Sequence, residues 1–174
     1  GYAAHLAILV QELAMVEREA HHRVRRPGSS RRLRRGSISP EGGMAFTSGP
    51  GMINLLLVED DPYQADAIKM LCEECGYRST LTSSAPEALE YLSRNPEINL
   101  VLSDVMMEGT TGFELLCEIR ELRSSVSVIM ISAYESIDLV EQCIAAGADA
   151  YLLKPLRIHE LRNMWQYVWR RRHE

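Results

Sequence analysis

Four short apolar runs in this chain each end abruptly in a chemically capable side chain. Leu55-Leu56-Leu57-Val58 runs into Glu59-Asp60-Asp61, Leu100-Val101-Leu102-Ser103 into Asp104, Val128-Ile129-Met130-Ile131 into Ser132-Ala133, and Tyr151-Leu152-Leu153 into Lys154-Pro155. Runs this short and this uniformly apolar read as strands buried on both faces, the pattern of a parallel sheet. Such a sheet takes its ligands in the crevice outside the carboxyl ends of its strands. The terminal side chains are therefore expected to converge, although they are scattered along the sequence. Carboxylates gathered there call for a divalent cation, and a lysine beside them suits a phosphoryl group.

Between these runs the apolar spacing becomes helical. Strands at 53–58, 78–82, 98–103, 126–131 and 149–153 are predicted to alternate with helices at 62–75, 85–94, 111–122, 135–146 and 157–171. Asp61-Pro62 opens the first helix as an N-cap followed by an N1 proline, and Gly76 closes it. Ser84 caps the second, with Pro86 near its start, and Gly147 closes the fourth. Five strand–helix units imply an α/β fold, a doubly wound five-stranded parallel sheet with helices on both faces and right-handed crossovers.

This body occupies residues 52–174. The 51 residues before it differ in composition. Residues 3–26 trace an amphipathic stripe through Leu6, Leu9, Val10, Leu13, Val16 and Ala20, so 1–26 reads as a helical arm. Residues 27–51 are rich in Gly, Ser, Pro and Arg and read as a flexible basic linker. Eight Arg against four Glu make residues 1–51 basic, whereas the whole chain carries a formal net charge of −5, so the body is strongly acidic. That contrast points to two segments with different tasks. Within the linker, Arg34-Arg35-Gly36-Ser37 fits the pattern favoured by basophilic kinases, the arginine run fits a nuclear signal or nucleic-acid tether, and a solvated tail fits both. The chain opens at Gly1, as a fragment or processed chain would, and Met44 and Met52 are candidate natural starts.

No apolar run is long enough to span a membrane and none has the form of a secretory signal. Cys72 and Cys75 form a CxxC, but Ile68, Leu71, Cys72 and Cys75 fall on one helical face, which reads as core; a metal or redox role is the alternative. Free thiols fit an intracellular protein of the cytoplasm or nucleus.

Val58-Glu59-Asp60-Asp61, Ser103-Asp104-Val105-Met106-Met107, Ile131-Ser132-Ala133, and Tyr151 with Lys154-Pro155 stand in the order and spacing of the response-regulator receiver domain, the CheY-like family of two-component signalling, which residues 53–172 resemble. The resemblance implies strand order 2-1-3-4-5, for which CheY is a standard example. It implies that Asp104 accepts a phosphoryl group from phosphohistidine on a histidine kinase or histidine phosphotransfer protein. It further implies that Glu59, Asp60, Asp104 and the backbone carbonyl of Met106 hold Mg2+, and that Lys154-Pro155 is cis. Lys154 and the Ser132 hydroxyl are then placed to stabilise charge on the transferred group. Ser132 and Tyr151 form the expected switch, acting on a downstream protein through the face of the fourth helix, fifth strand and fifth helix. Asp61 reads only as a helix cap. Such a domain is a signalling switch rather than an enzyme, and nothing in it indicates nucleic acid as a partner.

One departure is local. The family usually has Met-Pro after the acceptor, where this chain has Met107-Glu108, and that change predicts a looser, more acidic loop. The last helix, through Met164-Trp165-Gln166-Tyr167-Val168-Trp169, is similar to plant clock pseudo-response regulators, which typically replace the acceptor; this chain keeps Asp104. Trp165 and Trp169, four apart, read as helix packing or as a partner surface. The alternatives to a working receiver are a pseudo-receiver acting as a constitutive interaction module and the receiver piece of a larger hybrid kinase or effector enzyme.

Overall fold

The computed structural model describes residues 52–173. The helical arm, the basic linker and the Ser37 motif expected before them lie outside the described residues. Five strands, β1 (Asn54–Val58), β2 (Arg78–Thr82), β3 (Leu100–Asp104), β4 (Ser127–Ser132) and β5 (Ala150–Leu153), pair in parallel in the order β2-β1-β3-β4-β5. The connecting helices are α1 (Pro62–Glu74), α2 (Ala85–Arg94), α3 (Gly112–Leu122) and α4 (Ile137–Ala145), and the chain ends in α5 (Ile158–Arg162) and α6 (Trp165–Arg171). The order reverses between β1 and β3, so the crevice expected to bind ligand opens above those two strands.

Alternate strand residues face opposite sides, and the core divides accordingly. Leu56, Val58, Val101, Val128 and Met130 pack under α2, α3 and α4, against Ala88, Leu92, Leu115, Leu116, Ile119 and Cys143. Leu55, Leu57, Leu100, Leu102, Ile129 and Ile131 pack under α1, α5 and α6, against Ile68, Cys72, Leu161, Met164 and Val168. Both faces of the central strands are thus covered, which is why β1, β3 and β4 read as unbroken apolar runs. Cys72 is fully buried and its thiol is pushed up to about 12 by burial, with Cys75 adding to the rise. It is a core thiol, as its helical spacing predicted, and all four cysteines are unpaired.

The caps formed as read. Asp61 accepts from the Tyr63 and Gln64 N–H groups, and Ser84 from Glu87. The last helix differs from expectation. It is not one rod over 157–171 but two segments joined at Asn163-Met164, where i→i−3 bonds replace the α pattern. The cause is Tyr77, whose buried hydroxyl donates to the Leu161 carbonyl and faces the Trp165 N–H that would otherwise use that carbonyl. A side chain inserted in the helical ladder is a recognised source of a kink.

Candidate functional site

Four of the five strands, all but β2, each deliver one polar group to the same end of the sheet. Asp104 is the last residue of β3 and Ser132 the last of β4; Glu59 directly follows β1 and Lys154 directly follows β5. Glu59 and Asp104 are buried, at 2% and 6% exposure, while Asp60 is more open. Glu59, Asp60 and Asp104 each bring a carboxylate oxygen within 4.8 Å of the others. Three hard oxygen donors at this spacing fit a divalent cation of the magnesium type, which typically takes one or two carboxylates and completes its shell with water and phosphate oxygens.

Lys154 holds the cluster together. Its Nζ donates to Asp104 Oδ2 at 2.6 Å, Glu59 Oε2 at 2.7 Å and Gln64 Oε1 at 2.9 Å. Burial works against the ammonium, but the hydrogen bonds to Asp104 and Glu59 outweigh it, so its pKa lies above the ordinary lysine value. Burial is also the main influence on Glu59 and raises its pKa, the Asp104 charge adds to the rise, and the Lys154 contact partly offsets it. Each carboxylate here is costly alone and tolerable only beside a cation. The Lys154–Pro155 peptide is cis.

The remaining contacts fix the acids in place. Asp104 Oδ1 accepts the Met106 N–H at 3.0 Å, and Glu59 Oε1 accepts the Asp61 N–H at 3.2 Å. Asp60 Oδ2 accepts the Glu108 N–H at 2.9 Å. The β3–α3 loop is therefore tied to the acid cluster rather than loose, contrary to the expectation drawn from Glu108. The reason is that any residue other than proline supplies a backbone donor at that position.

Ser132 is fully buried, and its Oγ accepts the Tyr134 N–H at 3.1 Å. The half-buried Tyr151 donates its hydroxyl to the Tyr134 carbonyl at 3.1 Å. Ser132 and Tyr151 are thus joined through the two polar groups of one intervening peptide residue. Met106 and Tyr134, two residues past Asp104 and Ser132 respectively, are 55% and 64% exposed.

Sequence reasoning missed two residues. Gln64 presents its amide oxygen to Lys154 while its Nε2 donates to Asp61 Oδ2 at 3.1 Å, so both ends of the amide are matched. Its signal was only its place in the first turn of α1, beside the acids. Gly112 starts α3 against the Asp104 backbone, and a methyl group there would overlap the Asp104 carbonyl oxygen. The close approach of helix to strand demands glycine.

The profile of the response regulator receiver domain matches residues 55–166. The two-component response regulator-like protein APRR5 of Arabidopsis thaliana is 39% identical over 122 residues, covering 68% of this chain and 22% of that protein. The two-component response regulator ORR22 of Oryza sativa is 42% identical over 124 residues, covering 71% of this chain and 18% of that protein. The chain therefore spans about a fifth of the length of these curated relatives. Among solved structures, a CheY-like receiver domain protein from Methanospirillum hungatei JF-1 superposes with a TM-score of 0.64 at 29% identity, covering 71% of this chain and 98% of that one. A receiver domain protein from Clostridium thermocellum gives 0.66 at 25% identity, covering 70% and 98%.

Proposed function

This chain belongs to the response regulator receiver family, and on that premise we propose that it is a working phosphoacceptor switch with Asp104 as the acceptor. The observation that carries this reading is Lys154 bonded to both Glu59 and Asp104 within a cluster of three carboxylates. Asp104 is the nucleophile. A carboxylate oxygen forms a bond to phosphorus, the phosphorus–nitrogen bond of the donor's phosphohistidine breaks, and the imidazole leaves with the electron pair. Lys154, already on the acceptor carboxylate, follows the charge onto the phosphoryl oxygens. Glu59, Asp60, Asp104 and the Met106 carbonyl are the groups that would hold Mg2+, which when bound neutralises their repulsion and the charge of the transferred group. The donor is a histidine kinase or a histidine phosphotransfer protein, and the protein works inside the cell. Among the described residues, no helix is long and apolar enough to cross a membrane.

The test is incubation with acetyl phosphate and Mg2+, followed by intact-mass measurement. One phosphoryl group should be gained, and EDTA should prevent the gain. No gain with Mg2+ present would favour the constitutive interaction module instead.

The switch reading rests on the Ser132–Tyr134–Tyr151 link. In it the Ser132 oxygen acts as acceptor, which leaves the hydroxyl proton free to turn toward a phosphoryl oxygen. Rotation of the Ser132 side chain toward that oxygen would carry Oγ away from the Tyr134 N–H, and Tyr151 is bonded to the carbonyl of the same residue. Exposed apolar groups on the elements that carry this link, Tyr134, Ile137 and Leu153, suit a downstream protein partner. Moving a two-state element from 1:99 to 99:1 needs about 5.5 kcal/mol of differential binding, and charge-assisted contacts to the phosphoryl group are the means of supplying it. Hydrogen exchange with and without a phosphoryl mimic should change over 132–147 and 150–165. Ser132→Ala should shrink that change while Asp104 still gains phosphate. Exchange that changed only around Asp60 and Asp104 would rule out the switch.

A further inference from the structure

We propose that the backbone N–H of Glu108 is a positioning group for Asp60, holding one carboxylate oxygen so that the other is presented to the divalent cation. The inference deepens the metal-binding reading above and rests on it. Asp60 is the most open of the three acids. A short, partly exposed carboxylate beside Glu59 and Asp104 is pushed toward solvent, because like charges repel. The Glu108 N–H at 2.9 Å from Oδ2 opposes that push. A neutral donor on one oxygen leaves the other free and the carboxylate charged, the usual arrangement by which an outer hydrogen bond orients a metal ligand.

The loop is built to aim this donor. Met107, immediately before it, is buried in the core under α2, α3 and α4 and anchors the chain. Gly109, immediately after it, turns the backbone at φ +82°, a conformation other residues rarely adopt. The Glu108 side chain itself is exposed, so what the position contributes is the peptide donor and not the carboxylate. Proline at this place would keep the anchor and the turn but delete the donor. The Glu108 that looked like a loosening departure in the sequence thus supplies a contact that a Met-Pro sequence has no atom to make.

The test compares Mg2+ affinity, measured by titration calorimetry, for the wild type, Glu108→Ala and Glu108→Pro. Alanine keeps the N–H and should bind Mg2+ within about twofold of wild type, whereas proline should bind about tenfold more weakly, in line with the loss of other outer-sphere partners. Equal affinities for the two variants, with wild-type binding intact, would overturn this inference alone. Absence of Mg2+ binding by the wild type would overturn the metal reading and this inference with it. Amide exchange of Glu108, followed by NMR, decides the matter even if the proline variant does not fold. The amide should exchange slowly in the wild type, stay slow when Mg2+ saturates the site, and exchange fast in Asp60→Ala. Release of the amide on Mg2+ binding would make it a competitor of the metal, and equally fast exchange with and without Asp60 would mean that no such contact forms; either result refutes the proposal.

Discussion

Asp104→Asn is expected to abolish phosphate gain from acetyl phosphate while leaving the protein folded. The amide is nearly the same size as the carboxylate but is no nucleophile toward phosphorus, so intact-mass spectra should show only the unmodified chain. The effect on stability should be small, for reasons of opposite sign. Asp104 accepts from Met106 N–H on one oxygen and from Lys154 on the other. Asparagine has a single acceptor oxygen, so one of these donors loses its partner, at a cost of about 1 kcal/mol. Against this, one of three neighbouring negative charges is removed, and Lys154 keeps Glu59 and Gln64. Melting temperatures of variant and wild type should therefore nearly agree. A variant that gained phosphate as fully as wild type would place the acceptor elsewhere and defeat the site assignment. One that failed to fold would show the Met106 contact to be worth far more than an ordinary hydrogen bond.

The sheet was legible because each strand of its centre is buried on both faces, which leaves uninterrupted apolar letters, and because each run stops where the sheet meets solvent. The site acids and Lys154 were legible for the same reason: they are the letters that follow. The helix caps were equally local, since Asp61-Pro62 and Ser84 act within one turn of themselves. What could not be read depends on partners distant in sequence. Tyr77 breaks the final helix through a hydroxyl that reaches Leu161, 84 residues away; nothing in 157–171 signals it. Gly112 looks like an ordinary glycine in the first turn of a helix until the Asp104 carbonyl is seen against it. Glu108 was misread because its side chain drew attention, whereas the atom that reaches Asp60 is one that every non-proline residue has. Gln64 is polar on an exposed helical turn, where most glutamines do nothing, and only the position of Lys154 distinguishes it.

The largest loss of stability is expected from a residue at the far end of the sheet from Asp104. Asp149 precedes β5, and its side chain gathers three elements. Its Oδ2 accepts from the Val128 N–H at 2.8 Å and from Arg120 of α3 at 3.1 Å, and its Oδ1 accepts from Arg171 of α6 through Nε at 3.0 Å and Nη2 at 2.7 Å. Both arginines also donate to the Gly147 carbonyl. The side chains are largely shielded, at 14%, 12% and 21% exposure for Arg120, Asp149 and Arg171. Asp149→Ala would leave two guanidinium groups converging on one carbonyl with no negative charge between them, and a β4 N–H without its acceptor. Removing one partner of a shielded ion pair typically costs about 3–5 kcal/mol, a large share of the 5–15 kcal/mol that holds a domain of this kind together. The midpoint of urea unfolding, followed by the fluorescence of Trp165 and Trp169, should fall accordingly. Asp149→Asn should lose less, because its carbonyl oxygen can still take one of the donors. Phosphate gain per folded molecule should be unchanged in both variants, since the clamp touches none of the acids around Asp104. A loss below about 1 kcal/mol for the alanine variant would mean that the pairs behave like surface ion pairs exchanging with water. The expected result has a consequence for signalling. With α6 pinned to the sheet through Arg171, the proposed switch would rearrange the part of the α4-β5-α5 face where Ser132, Tyr134 and Tyr151 are linked, and would leave the C-terminal helix in place.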